Sequence, residues 1–320
     1  MAWAEQVNLY SARKEALIKP LLDKFTEETG ITVNLVTGNA DNLITRLKSE
    51  GKYSPADLLL TTDVGRLYRA KQQGLTQAIQ SSPEIEAIPA NFRDDQGHWL
   101  GLSLRARPLM VSANNAEALA INNLEELAQP KWKGKICIRS SNNIYNQSMV
   151  ASLITQIGET DTQTWLNAFV NNFARSPQGG DRDQIKAVAA GLCDVAIANT
   201  YYLAGMLSTK DETTIEQAKK VKVIWPNQTD RGTHVNISGV ALTKNAPNKT
   251  AAVKLIDFLL SRESQQWYAE TNHEYPVLEG VAWSELLQSF GQFKAEQVAL
   301  SQLGELNAQA VKMMDYAGWK

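Results

Sequence analysis

Short apolar runs alternate with amphipathic helical segments along most of this chain, and that alternation limits its fold more than any other property. VNLY (7–10) reads as a buried strand. The segment after it places Ala16, Leu17, Ile18, Leu21, Leu22 and Phe25 at helical spacing and stops at Gly30. Pro20 lies inside that segment and predicts a kink or a late helix start. ITVNLV is a second strand, and ADNLITRLKSEG a helix with Leu43, Ile44 and Leu47 on one face. ADLLLT and VGRLYRAKQQG repeat the pattern. Strands alternating with helices predict a mainly parallel sheet covered on both faces.

The middle of the chain follows the same grammar. KICIRSS, DVAIA, KVKVIWP and VNISGVALT read as strands. QSMVASLITQIG, TQTWLNAFVNNFA, DQIKAVAAG and TAAVKLIDFLLS read as helices, and the tail EQVALSQLGELNAQAVKMMDYAGW is expected to be helical. A length of 320 residues accommodates two α/β blocks. RARPLMVS (105–112) and THVNISGVAL (233–242) are extended stretches expected to join them. The expected division is 5–104 plus 233–277 for the N-terminal lobe and 105–232 plus 278–320 for the C-terminal lobe. Two lobes joined by two strands form a hinged clamp with its ligand in the cleft. Such sheets bind ligands beyond the carboxyl ends of their strands, which puts 11–13, 140–145 and 199–202 on the cleft rims.

Bulk properties remove several functions. The formal net charge of −2 gives no reason to expect nucleic acid or an anionic membrane as partner. No apolar run is long enough to span a bilayer. Ala2-Trp3-Ala4 has the small-x-small form that signal peptidase cuts, so a secretory protein with its leader removed is expected, Glu5 being the first mature residue. The two cysteines, Cys137 and Cys193, both stand in strand-like contexts. In the cytosol they would be buried core thiols; in an oxidising compartment they permit one disulfide, which secretion favours.

Catalytic signatures are missing. There is no G-x-x-x-x-G-K-[ST], no G-x-G-x-x-G after a strand and no G-x-S-x-G elbow. His98, His234 and His273 show no zinc-ligand spacing. Tyrosines are the remaining candidates. Tyr53, Tyr68, Tyr268, Tyr275 and Tyr316 suit ordinary amphipathic positions. Tyr145, Tyr201 and Tyr202 differ, because they follow strands at the expected cleft. Adjacent residues on a regular strand face opposite ways, so Tyr201 and Tyr202 can share a target only from a strand end or a helix start. Phenolate is a hard anionic ligand, and a bound cation lowers a phenol's pKa far below about 10. Three phenolates balance the charge of Fe3+. The competing occupant is an organic cation in an aromatic box, or another small solute.

Nine segments in order carry a family resemblance: LYSAR (9–13), SPADLLLTTD (54–63), LRARP (104–108), KGKICIRSS (133–141), YNQS (145–148), PQGGDRDQ (177–184), ANTYY (198–202), GTHVNISGV (232–240) and NHEYPV (272–277). Together they resemble the ferric-ion-binding periplasmic proteins of bacterial iron ABC transporters. The resemblance implies a type II periplasmic binding protein fold, no enzymatic activity, a monomeric chain and delivery of iron to an inner-membrane permease. By position, Tyr145, Tyr201 and Tyr202 match the iron-binding phenolates. Some relatives carry His-Tyr directly after the YSxR motif as further ligands; Lys14 and Glu15 stand there in this chain. Other relatives complete the site with a synergistic anion, typically carbonate, held by arginine. This sequence is similar to the second kind. Arg13 is the first candidate for the anion, with Arg105 and Ser140 behind it, and Glu15 or water is the alternative ligand. Arginine's planar fork suits bidentate carbonate.

Overall fold

The computed structural model describes residues 5–320. Ala2-Trp3-Ala4, the expected cleavage signal, lies outside the described residues. The chain divides into two compact units. The first runs to Leu104 and takes in Ile237–Trp283 and Ala299–Gly304; the second comprises Arg105–Asn236, Ser284–Val298 and Glu305–Lys320.

The first unit opens with β1 (Gln6–Ser11), β2 (Thr32–Thr37) and β3 (Leu58–Thr62). Strand β1 pairs in parallel with both of the others. Helix α1 (Lys19–Thr29) starts late, with Pro20 in its first turn, where a missing N–H costs nothing. It ends at Gly30, whose φ of 73° suits a residue without Cβ. Helix α2 (Ala40–Glu50) buries Leu43, Ile44 and Leu47, the face read from spacing, together with Leu59 and Ala70. Its start is capped by Asn39, which accepts from the backbone N–H groups of Asp41 and Asn42. After α3 (Val64–Gln72) come β4 (Thr76–Gln77) and β5 (Leu100–Ala106).

The second unit holds β6 (Leu109–Ser112), β7 (Ile136–Cys137), β8 (Val195–Ile197) and β9 (Val221–Ile224). They form a sheet in the order β7-β8-β6-β9. The chain returns to the first sheet through β10 (Val235–Thr243) and β11 (Tyr275–Pro276), giving the order β11-β5-β10-β3-β1-β2, with β4 on β10. Both sheets are mixed. Strand β7 runs parallel to β8, whereas β6 is antiparallel to β8 and β9, and β10 is antiparallel to β3. Strand direction follows from where the chain returns, which an apolar run does not encode. The chain leaves the first unit within β5, after Leu104, and re-enters it within β10, after Asn236.

Helix α4 (Ile144–Val170) is two helices joined at Gly158, whose φ of 82° and ψ of 167° break the ladder. That break falls where the sequence separates QSMVASLITQIG from TQTWLNAFVNNFA. The tail departs from expectation over 296–300, EQVAL, which is not helical; nor is the stretch 292–295 before it. There Thr233 and Ala295 form a parallel bridge, Thr233 N–H donating to the Lys294 carbonyl and Glu296 N–H to that of Thr233. Tertiary pairing thus overrides helical periodicity in EQVAL. Ala299–Gly304 belongs to the first unit: Leu300 N–H donates to the Asn91 carbonyl, and a Cβ at Gly304 would meet the Tyr68 ring at 2.3 Å.

Candidate metal centre

The candidate ligands grow from two neighbouring strands of the second unit. Strand β8 ends at Ile197, and α6 (Thr200–Leu207) begins three residues on. Tyr201 and Tyr202 lie in its first turn, the irregular junction that a shared target demands. Their ring centroids are 4.3 Å apart and tilted by 36°. Tyr202 leans on a core formed by Cys137, Ile185, Cys193, Ala198 and Met206. Strand β7 leads through Arg139 and Ser140 to Tyr145, in the first turn of α4. Asn143 caps that helix, its side chain accepting from the Tyr145 N–H at 3.1 Å.

Cys137 and Cys193 join the two strand systems by a disulfide, with Cα atoms 5.8 Å apart. The oxidised pair is therefore observed, and it ties the segment before Tyr145 to the one before Tyr201.

Arg105 links Tyr145 and Tyr201. Its side chain is 1 % exposed, and it donates to the Tyr201 hydroxyl at 3.1 Å. The guanidinium carbon lies 4.4 Å from the Tyr145 ring centroid and 5.3 Å from that of Tyr201. Arg139 lies 5.6 Å from the Tyr145 ring and Arg182 5.9 Å from the Tyr202 ring. Burial pushes the Tyr201 phenol well above its usual pKa; Arg105 opposes this, and Tyr145, Tyr202 and Asp181 add to it. Burial also raises Tyr202, helped by Tyr145 and Asp181.

Behind the phenols lies a polar network that sequence reading did not assemble. Asp181, the first residue of α5 (Asp181–Ala189), is fully buried. It accepts from Arg107 Nη1 at 2.9 Å, Arg139 Nη1 at 3.1 Å and the Asn199 N–H at 2.8 Å. Arg107 also donates to the side-chain oxygens of Asn146, at 2.6 Å, and Asn199, at 3.1 Å. The double glycine before Asp181 was the local signal available; its partners are 18 to 74 positions away.

The other expected residues are placed differently. Arg13 belongs to the first unit and is buried. Its Nη2 donates to Glu274 at 2.8 Å, and the same carboxylate accepts from Ser103 and Ser238. Ser140 makes a local turn, accepting from the Asn142 N–H, and Asn143 caps α4. Glu15 is exposed in a short 3-10 turn. His234 pairs with buried Glu296 at 2.5 Å, and His98 Nδ1 lies 2.8 Å from the Thr76 hydroxyl. Among the described residues, His, Cys, Asp and Glu form no group of three able to hold a metal, so a metal reading rests on phenols.

Comparison with known proteins supplies a context for this geometry. Residues 54–289 match the family model described as bacterial extracellular solute-binding protein. The chain is 48% identical over 316 residues to iron uptake protein A1 of Synechocystis sp., covering 99% of this chain and 88% of that protein. A solved structure of a Trichodesmium protein (IdiA, FutA) in complex with iron and citrate ligands superposes with a TM-score of 0.95 at 49% identity, covering 98% of this chain and 100% of the other. The ferric iron-binding protein A of Mannheimia haemolytica, in an open conformation, gives a TM-score of 0.92 at 42% identity over 99% of each chain.

Proposed function

As this chain belongs to the bacterial extracellular solute-binding proteins, we propose that it captures Fe3+ in the periplasm and delivers it to an ABC-type permease of the inner membrane. Tyr145, Tyr201 and Tyr202 are the metal ligands in this reading. The observation that carries it is their clustering: buried Arg105 lies against the Tyr145 and Tyr201 rings, and Tyr202 packs against Tyr201. Neutral phenols bind metals poorly. A trivalent cation among them displaces their protons, and three phenolates then cancel its charge. The likeness to a protein seen with iron and citrate supports the choice of cargo. No helix of the described residues is long and apolar enough to cross a membrane, which agrees with a cargo carrier that relies on a separate permease.

Three oxygens leave Fe3+ open to water and hydrolysis, so a small carboxylate-like anion, carbonate or a relative of it, completes the site. Arg105 is its main partner here. Arg13 was the first candidate by sequence, but Glu274 already neutralises it. An organic cation would have to replace Arg105 against the tyrosine faces. Colour separates the two readings. Ferric iron added with bicarbonate is expected to give an intense visible phenolate-to-iron band; a colourless protein that binds organic cations would refute the proposal.

A further inference from the structure

We propose that Asp181 is a positioning residue that presets all three phenols through one buried network. This rests on the reading of Tyr145, Tyr201 and Tyr202 as iron ligands. One Asp181 oxygen accepts both the Asn199 N–H, at 2.8 Å, and Arg107 Nη1, at 2.9 Å. Asn199 is the N-cap of α6, two positions ahead of Tyr201. The other oxygen takes Arg139 Nη1 at 3.1 Å, on the segment leading to Tyr145. Arg107 carries the tie across: its Nη2 donates to Asn146, the neighbour of Tyr145, at 2.6 Å. Asn146 closes the circuit by donating to the carbonyls of Arg139 and Ser140. The roots of both ligand segments are thus bonded to one carboxylate and one guanidinium.

The turn before Asp181 is built for this placement. Gly179 has a φ of 67°, and a Cβ there would lie 2.6 Å from an Asp183 carboxylate oxygen. That oxygen accepts the Gly180 N–H at 2.7 Å and fixes the start of α5. Burying Asp181 and Arg107 together, 0 % and 3 % exposed, is poorly explained by stability, because a buried ion pair gains little over apolar packing. Fixing ligand geometry explains the cost, since metal sites depend on the groups that orient their ligands.

The test is ferric titration with bicarbonate, following affinity and the position of the phenolate-to-iron band. Asp181→Ala is expected to weaken iron binding by about tenfold or more and to shift the band, in protein with a wild-type circular dichroism spectrum. Asp181→Asn keeps an acceptor for Asn199 and Arg107 but turns an NH2 toward the Arg139 donor, and is expected to shift the band and weaken binding by less than Asp181→Ala. Wild-type affinity and band in Asp181→Ala would overturn the proposal. So would equal changes in both variants, which would mean that only the carboxylate's charge matters. Should Asp181→Ala fail to fold, Asn146→Ala, which cuts the tie at Tyr145 alone, must shift the band or the proposal falls. Tyr201→Phe/Tyr202→Phe is the control. Loss of the band there with retention in Asp181→Ala refutes the positioning role only; retention in the control refutes the ligand reading itself.

Discussion

An ordinary phenol is protonated at neutral pH, and burial, with neighbouring Tyr145 and Asp181 and against Arg105, raises Tyr201 and Tyr202 further. Iron must therefore expel a proton from each phenol that binds it. The sign follows directly: apparent Fe3+ affinity rises with pH and falls in acid. With three phenols ionised on binding, the slope approaches about a thousandfold per pH unit. Competition titrations between pH 5 and 8 measure it, and a flat profile would exclude phenolate ligation. Arg105 belongs to the same scale. Its loss removes a charge-assisted contact worth about 1.5–3 kcal/mol, so Arg105→Ala is expected to need about 10- to 100-fold more bicarbonate for the same iron occupancy. An unchanged bicarbonate requirement would point to another anion partner.

At the scale of elements, the ligands depend on two strand ends and two helix starts. Disulfide Cys137–Cys193 closes a loop with a sequence separation of 56. On a chain-entropy basis its removal costs about 4 kcal/mol. The Cys137→Ala/Cys193→Ala variant is expected to unfold at correspondingly lower urea; an unchanged midpoint would deny the bridge a stabilising role. Much at this scale was legible in the sequence. The buried face of α2, the late start of α1 at Pro20 and the break at Gly158 all follow from spacing and from glycine or proline chemistry. An irregular junction at Tyr201 was legible too, as a strand end or a helix start; that it is the first turn of a helix was not. Antiparallel returns and the extended bridge at Thr233–Ala295 were not, since each depends on a partner strand chosen by tertiary packing. The network behind the phenols was hidden for the same reason. Arg107 meets Asn146 from 39 positions away, and Arg13 meets Glu274 from 261. No local pattern marks such pairs.

For the whole molecule, the two units carry different loads. All three candidate ligands, Arg105 and the Asp181 network belong to the second unit, while the first holds the Arg13–Glu274 pair. Whether the second unit's phenols hold the iron is decided by ferric titration of wild type and Tyr201→Phe/Tyr202→Phe in bicarbonate buffer. Each substitution removes only a hydroxyl, so the fold is expected to survive. Wild type is expected to develop the phenolate-to-iron band at one iron per chain. The double variant is expected to lose most of that band and to bind more than about a hundredfold more weakly, beyond the loss typical of a group that only orients a ligand. Wild-type affinity and colour in the double variant would contradict phenolate ligation.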